Sequence, residues 1–411
     1  MPYIESTLHT ITPQLNPNIE LILSDSGSTD GTKGFLQQYA SGSNVKYYEA
    51  PSELNMLEHW EWALKKAQGR WVIFVGQDDG LLPYFSTLSE KLINIAETKK
   101  IQIISSSRAY YFWEGTQNFY GDVQVSYQAI PVIKIKKFYI SNLKTLLNIS
   151  TYFELPQMYT SSLFKQEFIQ DIRELQNGKF LTCHPQDANI ASISVRAEKN
   201  YLMSLIPLGW VGSSIKSAGL SVEISAGSGH RSIEKLKLEY LSKIMRKTDN
   251  LELWNDIFDL NDDLVYYFNA LTLTSNISNK TIEGLINSIT FRYLIFTSVV
   301  LKRFIQRKPI NSPFFRKFER VNLRFDCNIK VVYLLFGISV IPVIFTCFIL
   351  IILKKIKRYF EVMIRNRVFF SWTHQRSVLY TMDQCNYEIM RLVQRDSRFL
   401  NKFERIVSKI V

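Results

Sequence analysis

The chain has 411 residues, of which 46% are hydrophobic and 13% aromatic, and its formal net charge is +12. This apolar content excludes a wholly disordered chain, and the length suits one α/β domain of about 230 residues and a further region. The four cysteines have no paired spacing, so neither a disulfide framework nor a zinc site is indicated, and a reducing compartment is expected.

The first 104 residues alternate between helical and strand patterns. Helices are predicted at residues 3–15, 30–39, 54–66 and 82–98, and strands at 19–23, 45–49, 71–75 and 101–104. Alternation of this kind favours an α/β fold with a mostly parallel sheet flanked by helices.

A polar turn containing glycine follows the strand at 19–23. Asp25 lies at the end of that strand, where a carboxylate can accept hydrogen bonds from a nucleobase imide or a ribose hydroxyl. Ser28 and Thr29 are candidates for the N-cap of the helix that is predicted from Asp30, and capping is the favoured role for them.

The strand at 71–75 is a continuous apolar run, which is typical of a strand that is buried on both faces. Asp78 and Asp79 follow it, and ligands of α/β proteins bind at the carboxyl ends of strands. Paired carboxylates there suit a hard divalent cation that is shared with a diphosphate. The structural alternative is a helix cap plus a solvated acid in a turn.

Two blocks of the sequence resemble family-2 glycosyltransferases, which have the GT-A fold. Residues 23–32 (L-S-D-S-G-S-T-D-G-T) resemble that family's V-D-D-G-S-T-D-G-T block. Residues 67–71 (A-Q-G-R-W) and 76–83 (G-Q-D-D-G-L-L-P) resemble its A-x-G-x-W/Y … D-x-D-D-x-x-x-P block. The resemblance covers about residues 1–230 and implies a GT-A-like Rossmannoid domain that transfers a sugar from a nucleotide donor.

The resemblance also implies roles for individual residues. Asp25, Ser26 and Asp78 would bind the donor, for which a UDP-sugar is expected. Asp78 and Asp79 would be the ligands of Mn²⁺ or Mg²⁺. The first acid of the family's motif has no counterpart at residues 76–77, so which of the two aspartates holds the metal stays open.

The catalytic base is expected further along the chain. Residues 182–191 (T-C-H-P-Q-D-A-N-I-A) resemble the family's block that carries this base, and Asp187 aligns with it. Its structural alternative is a helix N-cap after Pro185. His230, which follows a glycine, is a candidate third metal ligand, although an exposed loop is the favoured reading for it.

The sequence departs from the family at its start. Family members begin with a strand and a P-T-x-N turn before a helix like the one predicted at 3–15. Met1 stands where that turn should end, which predicts an in-frame upstream extension of about 10 to 15 codons that encodes the strand. Sequencing of the upstream DNA tests this, and an in-frame stop just before Met1 would contradict it.

Basic residues are concentrated in the last third of the chain. Residues 300–411 contain 22 Lys and Arg against 7 Asp and Glu. They also contain 23 consecutive uncharged residues at 331–353, long enough to cross a hydrocarbon core of about 30 Å, and four basic residues within 354–358. A second apolar stretch lies at 285–301. These stretches favour an anionic membrane over nucleic acid as the partner.

Topology is constrained by the basic residues on both sides of 331–353, since both flanking segments look cytoplasmic by the positive-inside rule. A monotopic attachment is therefore favoured over a true span. Residues 231–411 are predicted to form a helical membrane-associated region on the cytoplasmic face of a bacterial inner membrane.

These observations predict an inverting, metal-dependent glycosyltransferase that acts on a saccharide or lipid-linked acceptor in surface-polysaccharide assembly. A nucleotidyltransferase of similar fold is disfavoured, because its glycine-rich G-G-x-G-T-R loop is missing. The remaining alternative is a catalytically impaired membrane-bound scaffold of a polysaccharide assembly complex, which the altered acidic motif favours.

Overall fold

The computed structural model describes residues 2–40, 44–215, 217, 256, 260, 262–305, 310–321 and 370–408. Its helices are α1 (Pro2–Ile11), α2 (Thr32–Tyr39), α3 (Met56–Leu64), α4 (Phe85–Thr98), α5 (Gln117–Tyr120), α6 (Phe138–Leu146), α7 (Gln166–Leu175), α8 (Gln186–Ala197), α9 (Asp263–Leu273), α10 (Lys280–Asn287), α11 (Ile289–Ile305), α12 (Ser312–Arg320), α13 (Met382–Arg395) and α14 (Ser397–Ser408). Its strands are β1 (Leu21–Asp25), β2 (Val45–Glu49), β3 (Trp71–Val72), β4 (Gly80–Leu81), β5 (Ile103–Ser106), β6 (Ala109–Phe112), β7 (Val123–Ala129), β8 (Ile133–Lys137), β9 (Ser162–Lys165), β10 (Asn200–Ser204), β11 (Gly209–Ser213) and β12 (Phe370–Gln375).

These strands form three sheets in the described residues. One pairs β1 with β2, the second has the order β3-β9-β5-β10-β8, and the third has the order β12-β7-β6-β11-β4. Parallel pairing is limited to β1 with β2, β5 with β10, and β6 with β11, and the other pairs are antiparallel. The α/β class is as predicted, but the prediction of a mostly parallel sheet was wrong.

The reason for the mixed pairing is the position of β9. It lies between β3 and β5 and runs antiparallel to both, with Phe164 opposite Val72 and Ile103. Strands that are distant in sequence can enter a sheet from either end, so their direction does not follow from local pattern.

Two hydrophobic cores lie on opposite faces of the second sheet. Ile103 and Phe164 face the core that is shared with α7, α8 and α9, whereas Ile104 and Leu163 face the core that is shared with α4, α13 and the third sheet. Because neighbouring side chains of a strand point to opposite faces, two consecutive apolar residues of β5 and of β9 reach both cores.

Helix α2 begins two residues later than predicted. Its N-cap is Gly31, whose φ of 88° is in the left-handed region that favours glycine. Asp30 precedes the helix, and its carboxylate accepts hydrogen bonds from the backbone N–H and hydroxyl of Thr32. The predicted capping role of Ser28 or Thr29 is therefore wrong, since Ser28 bonds to Asp25 instead.

Residues 370–408 pack on the amino-terminal part of the chain. Strand β12 pairs with β7, and α13 packs against α1 with buried Met382, Cys385 and Ile389. A capping box of Thr381 and Gln384 begins α13. This segment therefore completes the third sheet. The domain boundary at residue 230 stays a prediction.

The apolar stretch predicted at 285–301 corresponds to the end of α10 and most of α11. Ile295, Val299 and Val300 are buried in the core that contains α8 and α9. Among the described helices, none has the length and apolar character that a membrane span requires. The stretch at 331–353 lies outside the described residues.

Candidate active site

The turn between β3 and β4 carries Asp78 and Asp79, the two predicted metal ligands. Residues 73–79 leave the ladder after Val72, and the N–H of Asp79 bonds to the carbonyl of Gly76 at 3.2 Å. Helix α1 supports this turn, because the Thr7 hydroxyl donates to the carbonyls of Gln77 (2.8 Å) and Asp79 (2.6 Å). The predicted strand at 71–75 is thus shorter than expected, and Phe74 is only partly buried.

Asp79 is fully buried and every oxygen of its carboxylate is engaged. Its Oδ2 accepts from the N–H of Gly76 at 2.8 Å, and its Oδ1 accepts from the N–H of Gly212 at 2.8 Å. The Tyr159 hydroxyl also donates to this carboxylate. Burial, assisted by the charge of Asp78, raises the pKa of Asp79 to about 7.

Two glycines make this arrangement possible. A Cβ at Gly76 would collide with the Tyr159 hydroxyl, and a Cβ at Gly212 would collide with the carbonyl oxygen of Asp78. The first acid of the family motif is missing at residues 76–77. The Tyr159 hydroxyl fills the space beside Gly76, so a larger side chain does not fit at that position. Glycine inside a strand such as β11 often marks the close approach of another backbone segment.

Asp78 has a different environment from its neighbour. The hydroxyl of Ser214 donates to its Oδ2 at 2.8 Å, and the indole N–H of Trp113 donates to its backbone carbonyl at 2.8 Å. Burial raises the pKa of Asp78. The pKa of Tyr3 is raised by its own burial and, to a smaller extent, by the charge of Asp78. Tyr3 packs edge-on against Trp113 at 4.7 Å.

Tyr159 connects these two acids to the predicted base. Burial raises the pKa of the Tyr159 hydroxyl well above its usual value, and the nearby charges of Asp79, Asp78 and Asp187 add to the rise. The charges of the adjacent pair Asp78 and Asp79 and of Asp187, about 110 residues further along the sequence, therefore act on one phenol hydroxyl.

Asp187 lies in the first turn of α8 and is partly exposed. Its Oδ1 accepts from the N–H of Ala188 at 2.8 Å, and its Oδ2 accepts from the hydroxyl of Tyr152 at 3.4 Å. Desolvation raises the pKa of Asp187, against the opposing charge of Arg108. The N-cap position belongs to Pro185, so the structural alternative of Asp187 as the cap is wrong.

Arg108 is held beside this acid. Its guanidinium donates to the side-chain oxygen of Gln157 at 2.5 Å and lies 5.7 Å from the ring centre of Phe153. Gln157 in turn donates to the carbonyl of Tyr152 at 3.0 Å. One connected group thus positions Tyr152 and Arg108 around Asp187.

Asp25 lies at the end of β1, as predicted, and is buried. Its Oδ1 accepts from the N–H (3.1 Å) and hydroxyl (2.6 Å) of Ser28, and its Oδ2 accepts from the hydroxyl of Tyr47 at 3.3 Å. Ser26 is exposed on the same turn. A contact of Asp25 or Ser26 with a donor stays a prediction, and the hydrogen bonds show that Asp25 also shapes the turn.

The chemistry of the turn fits one divalent cation. Two adjacent carboxylates are buried there, and burial is the largest cause of the raised pKa of each. Mg²⁺ and Mn²⁺ can be held by one or two carboxylates together with substrate phosphates. Within the described ranges there is no cluster of three His, Cys, Asp or Glu, and His230 lies outside them.

Sequence reasoning did not identify Tyr159, Arg108, Ser214 or the role of Gly212. They reach the acids from three separate parts of the chain, at Arg108, at Tyr159 and at residues 212–214, so no single local motif contains them. Gly212 gave the one usable signal, because glycine interrupts the otherwise strand-like run at 209–213.

The carboxyl-terminal segment braces the same turn. The Asn386 side chain donates to the carbonyl of Leu81 at 3.0 Å and accepts from the indole N–H of Trp210 at 2.8 Å. It therefore joins β4, which follows Asp79, to β11, which supplies the N–H of Gly212.

We expect Asn386→Ala to lower the free energy of unfolding by about 1–2 kcal/mol, because two buried polar groups lose their partner. Urea unfolding measures the change. Asn401→Ala, on an exposed position of α14, is the matched control and should be neutral. If Asn386→Ala has the same free energy of unfolding as wild type, the two hydrogen bonds of Asn386 do not contribute to stability.

Comparison with known proteins agrees with the sequence blocks. The family model described as glycosyl transferase family 2 matches residues 1–168. The amino-terminal 168 residues are therefore similar to glycosyl transferase family 2. The matched part is thus a glycosyltransferase domain, which confirms the predicted enzyme class.

Individual relatives match over different lengths. The putative teichuronic acid biosynthesis glycosyltransferase TuaG of Bacillus subtilis (strain 168) is 41% identical over 80 residues, which are 19% of this chain and 31% of TuaG. The match thus spans about a third of that relative. S. aureus TarS 1-349 in complex with UDP-GlcNAc has 13% identity and a TM-score of 0.40, over 75% of this chain and 90% of that one. The mannosyltransferase PcManGT from Pyrobaculum calidifontis, in complex with GDP-Man and Mn²⁺, has 14% identity and a TM-score of 0.35, over 78% of this chain and 81% of that one.

Proposed function

We propose that this chain is an inverting glycosyltransferase that moves a sugar from a nucleotide-sugar donor, with a UDP-sugar as the first choice, to a saccharide acceptor. The observation that carries the proposal is the position of Asp78, Asp79 and Asp187 around Tyr159. A donor site and a general base must lie close together, because the acceptor oxygen attacks the sugar that the donor site holds.

In this proposal Asp187 is the general base. It accepts the proton of the acceptor hydroxyl while that oxygen attacks the anomeric carbon and the nucleoside diphosphate departs. Its partial exposure lets an acceptor reach it, and desolvation raises its pKa so that the carboxylate is a stronger base. Tyr152 and Arg108 orient it and favour its charged form.

Asp78 is the proposed ligand of Mn²⁺ or Mg²⁺, and Asp79 is the residue that shapes the turn behind it. A bound cation would offset the negative charge on the nucleoside diphosphate as it leaves. Because Asp79 already accepts from Gly76, Gly212 and Tyr159, it has less capacity for a metal than Asp78 has.

The acceptor is proposed to be lipid-linked and the enzyme to act at the cytoplasmic face of a bacterial membrane. The support is in the sequence: 23 uncharged residues at 331–353 precede the basic segment 354–358. TuaG, by its printed description, belongs to teichuronic acid biosynthesis, which agrees with a surface polysaccharide as the product class.

Release of nucleoside diphosphate from a panel of nucleotide sugars with Mn²⁺ tests the proposal. We expect slow hydrolysis of one UDP-sugar, its loss with EDTA, and its restoration by added Mn²⁺. Binding of UDP without turnover of any donor, even with saccharide acceptors present, would favour the scaffold alternative. That alternative is supported by the missing first acid at residues 76–77.

A further inference from the structure

A basic and apolar surface lies at the outer edge of the second sheet. Strand β8 is the edge strand next to β10, and it continues without a loop into α6, for which Lys137 is the N-cap residue. Residues 123–153 around it contain four lysines and no aspartate or glutamate. This stretch therefore has a net charge of +4 within the amino-terminal part of the chain.

The same surface exposes large apolar side chains. Val132 is 40% exposed, Ile135 50%, Tyr139 47% and Ile140 48%. On α6 these outward residues are opposite a buried side that includes Phe138. Four such side chains within nine consecutive residues form a cluster, whereas single exposed apolar residues are normal on protein surfaces.

Protection of the sheet edge explains only part of this composition. Lysines on an edge strand discourage pairing with another chain, which accounts for Lys134 and Lys137. It does not account for the apolar side chains beside them, because they increase the tendency to associate. Lysines interleaved with aromatic and aliphatic side chains are the composition of surfaces that lie in the interface of an anionic bilayer.

We propose that this surface docks on an anionic lipid bilayer. We call it the β8–α6 face and define it by six exposed residues: Val132, Lys134, Ile135, Lys137, Tyr139 and Ile140. Ile135 and Lys137 are on one side of β8 and Lys134 is on the other, so these three side chains come together only at the free edge of the sheet. The lysine ammonium groups contact lipid phosphates, while the apolar side chains enter the boundary between headgroups and acyl chains.

The β8–α6 face is next to the acceptor side of the candidate site. Helix α6 contacts the 3₁₀ turn Tyr152–Glu154, and the Tyr152 hydroxyl donates to Asp187 at 3.4 Å. Phe153 in that turn is itself 36% exposed. Docking therefore brings Asp187 close to the bilayer surface, where a lipid-linked acceptor is found. This last step rests on the proposed function, whereas lipid binding does not.

Hydrogen–deuterium exchange of the full chain locates the contact. We expect slower exchange in residues 132–147 with vesicles of phosphatidylglycerol and phosphatidylcholine in equal parts. Vesicles of phosphatidylcholine alone, or soluble polyglutamate at equal charge, should leave exchange there unchanged. Because the readout is local, binding by other basic segments does not obscure it. Unchanged exchange with anionic vesicles, or equal protection by polyglutamate, would overturn the proposal.

Matched variants test the two components separately. Lys134→Glu/Lys137→Glu should lower affinity for anionic vesicles about tenfold or more, and Lys179→Glu/Lys280→Glu, with the same charge change, should lower it less. Tyr139→Ser/Ile140→Ser should remove the local protection, and Leu175→Ser/Leu273→Ser should keep it.

Donor hydrolysis without lipid separates this proposal from the proposed function. It should be unchanged in Lys134→Glu/Lys137→Glu, which also reports that the variant is folded. If the wild-type chain shows the local protection but hydrolyses no donor, the docking proposal stands and the proposed function fails. Equal loss of vesicle binding in test and control pairs would show non-specific charge attraction and overturn docking at this face.

Discussion

Asp187→Asn is expected to lower turnover by a factor on the order of 10² to 10⁴, because the amide cannot accept the proton of the acceptor hydroxyl. Donor affinity should stay near wild type, since the donor turn with Asp78 is separate from α8. Thermal stability should also change little, because asparagine can still accept from the N–H of Ala188. Steady-state kinetics with calorimetric titration of UDP measure both quantities.

Asp171→Asn is the matched control for that variant. Asp171 is exposed on α7, so its replacement makes the same chemical change away from the site. Turnover of Asp171→Asn should equal that of wild type. Near-normal turnover of Asp187→Asn would remove Asp187 from the catalytic residues and direct attention to other acids on the acceptor side, such as Glu154.

The pH dependence of the same enzyme provides a further prediction. A base is active only when deprotonated, so kcat/KM should fall as the pH decreases through the pKa of Asp187. Because desolvation raises that pKa, the acidic limb should lie above the usual aspartate value of about 4. A limb at or below that value would contradict the desolvated environment. Rates are measured at constant Mn²⁺ and saturating acceptor.

Local patterns predicted much of this fold, and β2 has the predicted bounds of 45–49. Helix α4 also matches closely, because its apolar face and its end lie within one continuous segment. The prediction of mostly parallel pairing was wrong, because β9, which lies about 60 to 90 residues further along the chain than β5 and β3, runs antiparallel to both. Likewise, no feature near residues 370–375 indicates that they pair with β7.

In the candidate site, too, features within one segment were predictable from the sequence, whereas contacts between distant segments were not. The strand end at Asp25 and the pair Asp78 and Asp79 were found because each follows an apolar run. What their carboxylates bind was not predictable, because the donors come from Tyr159 and Gly212. A sequence motif therefore located the turn, but only the tertiary contacts distinguish the two neighbouring acids.

That distinction predicts opposite outcomes for two adjacent substitutions. Asp79→Ala removes the acceptor for two buried backbone N–H groups and the Tyr159 hydroxyl, and unsatisfied buried donors are costly. We expect its free energy of unfolding to fall by about 2–3 kcal/mol or more. The structural alternative of a solvated acid in a turn is wrong for Asp79, because this residue is fully buried.

Asp78→Asn should leave the free energy of unfolding within about 1 kcal/mol of wild type, because asparagine can still accept from Ser214. Its affinity for UDP in the presence of Mn²⁺ should fall to the value that wild type shows with EDTA. Urea unfolding and calorimetric titration measure both variants, and Asp122→Asn, on an exposed turn, is the control. If Asp79→Ala is as stable as wild type and loses Mn²⁺-dependent binding, while Asp78→Asn keeps it, the roles of the two acids are reversed. Asp79 would then be the metal ligand, and its oxygens would coordinate the cation while they also accept from the N–H groups of Gly76 and Gly212.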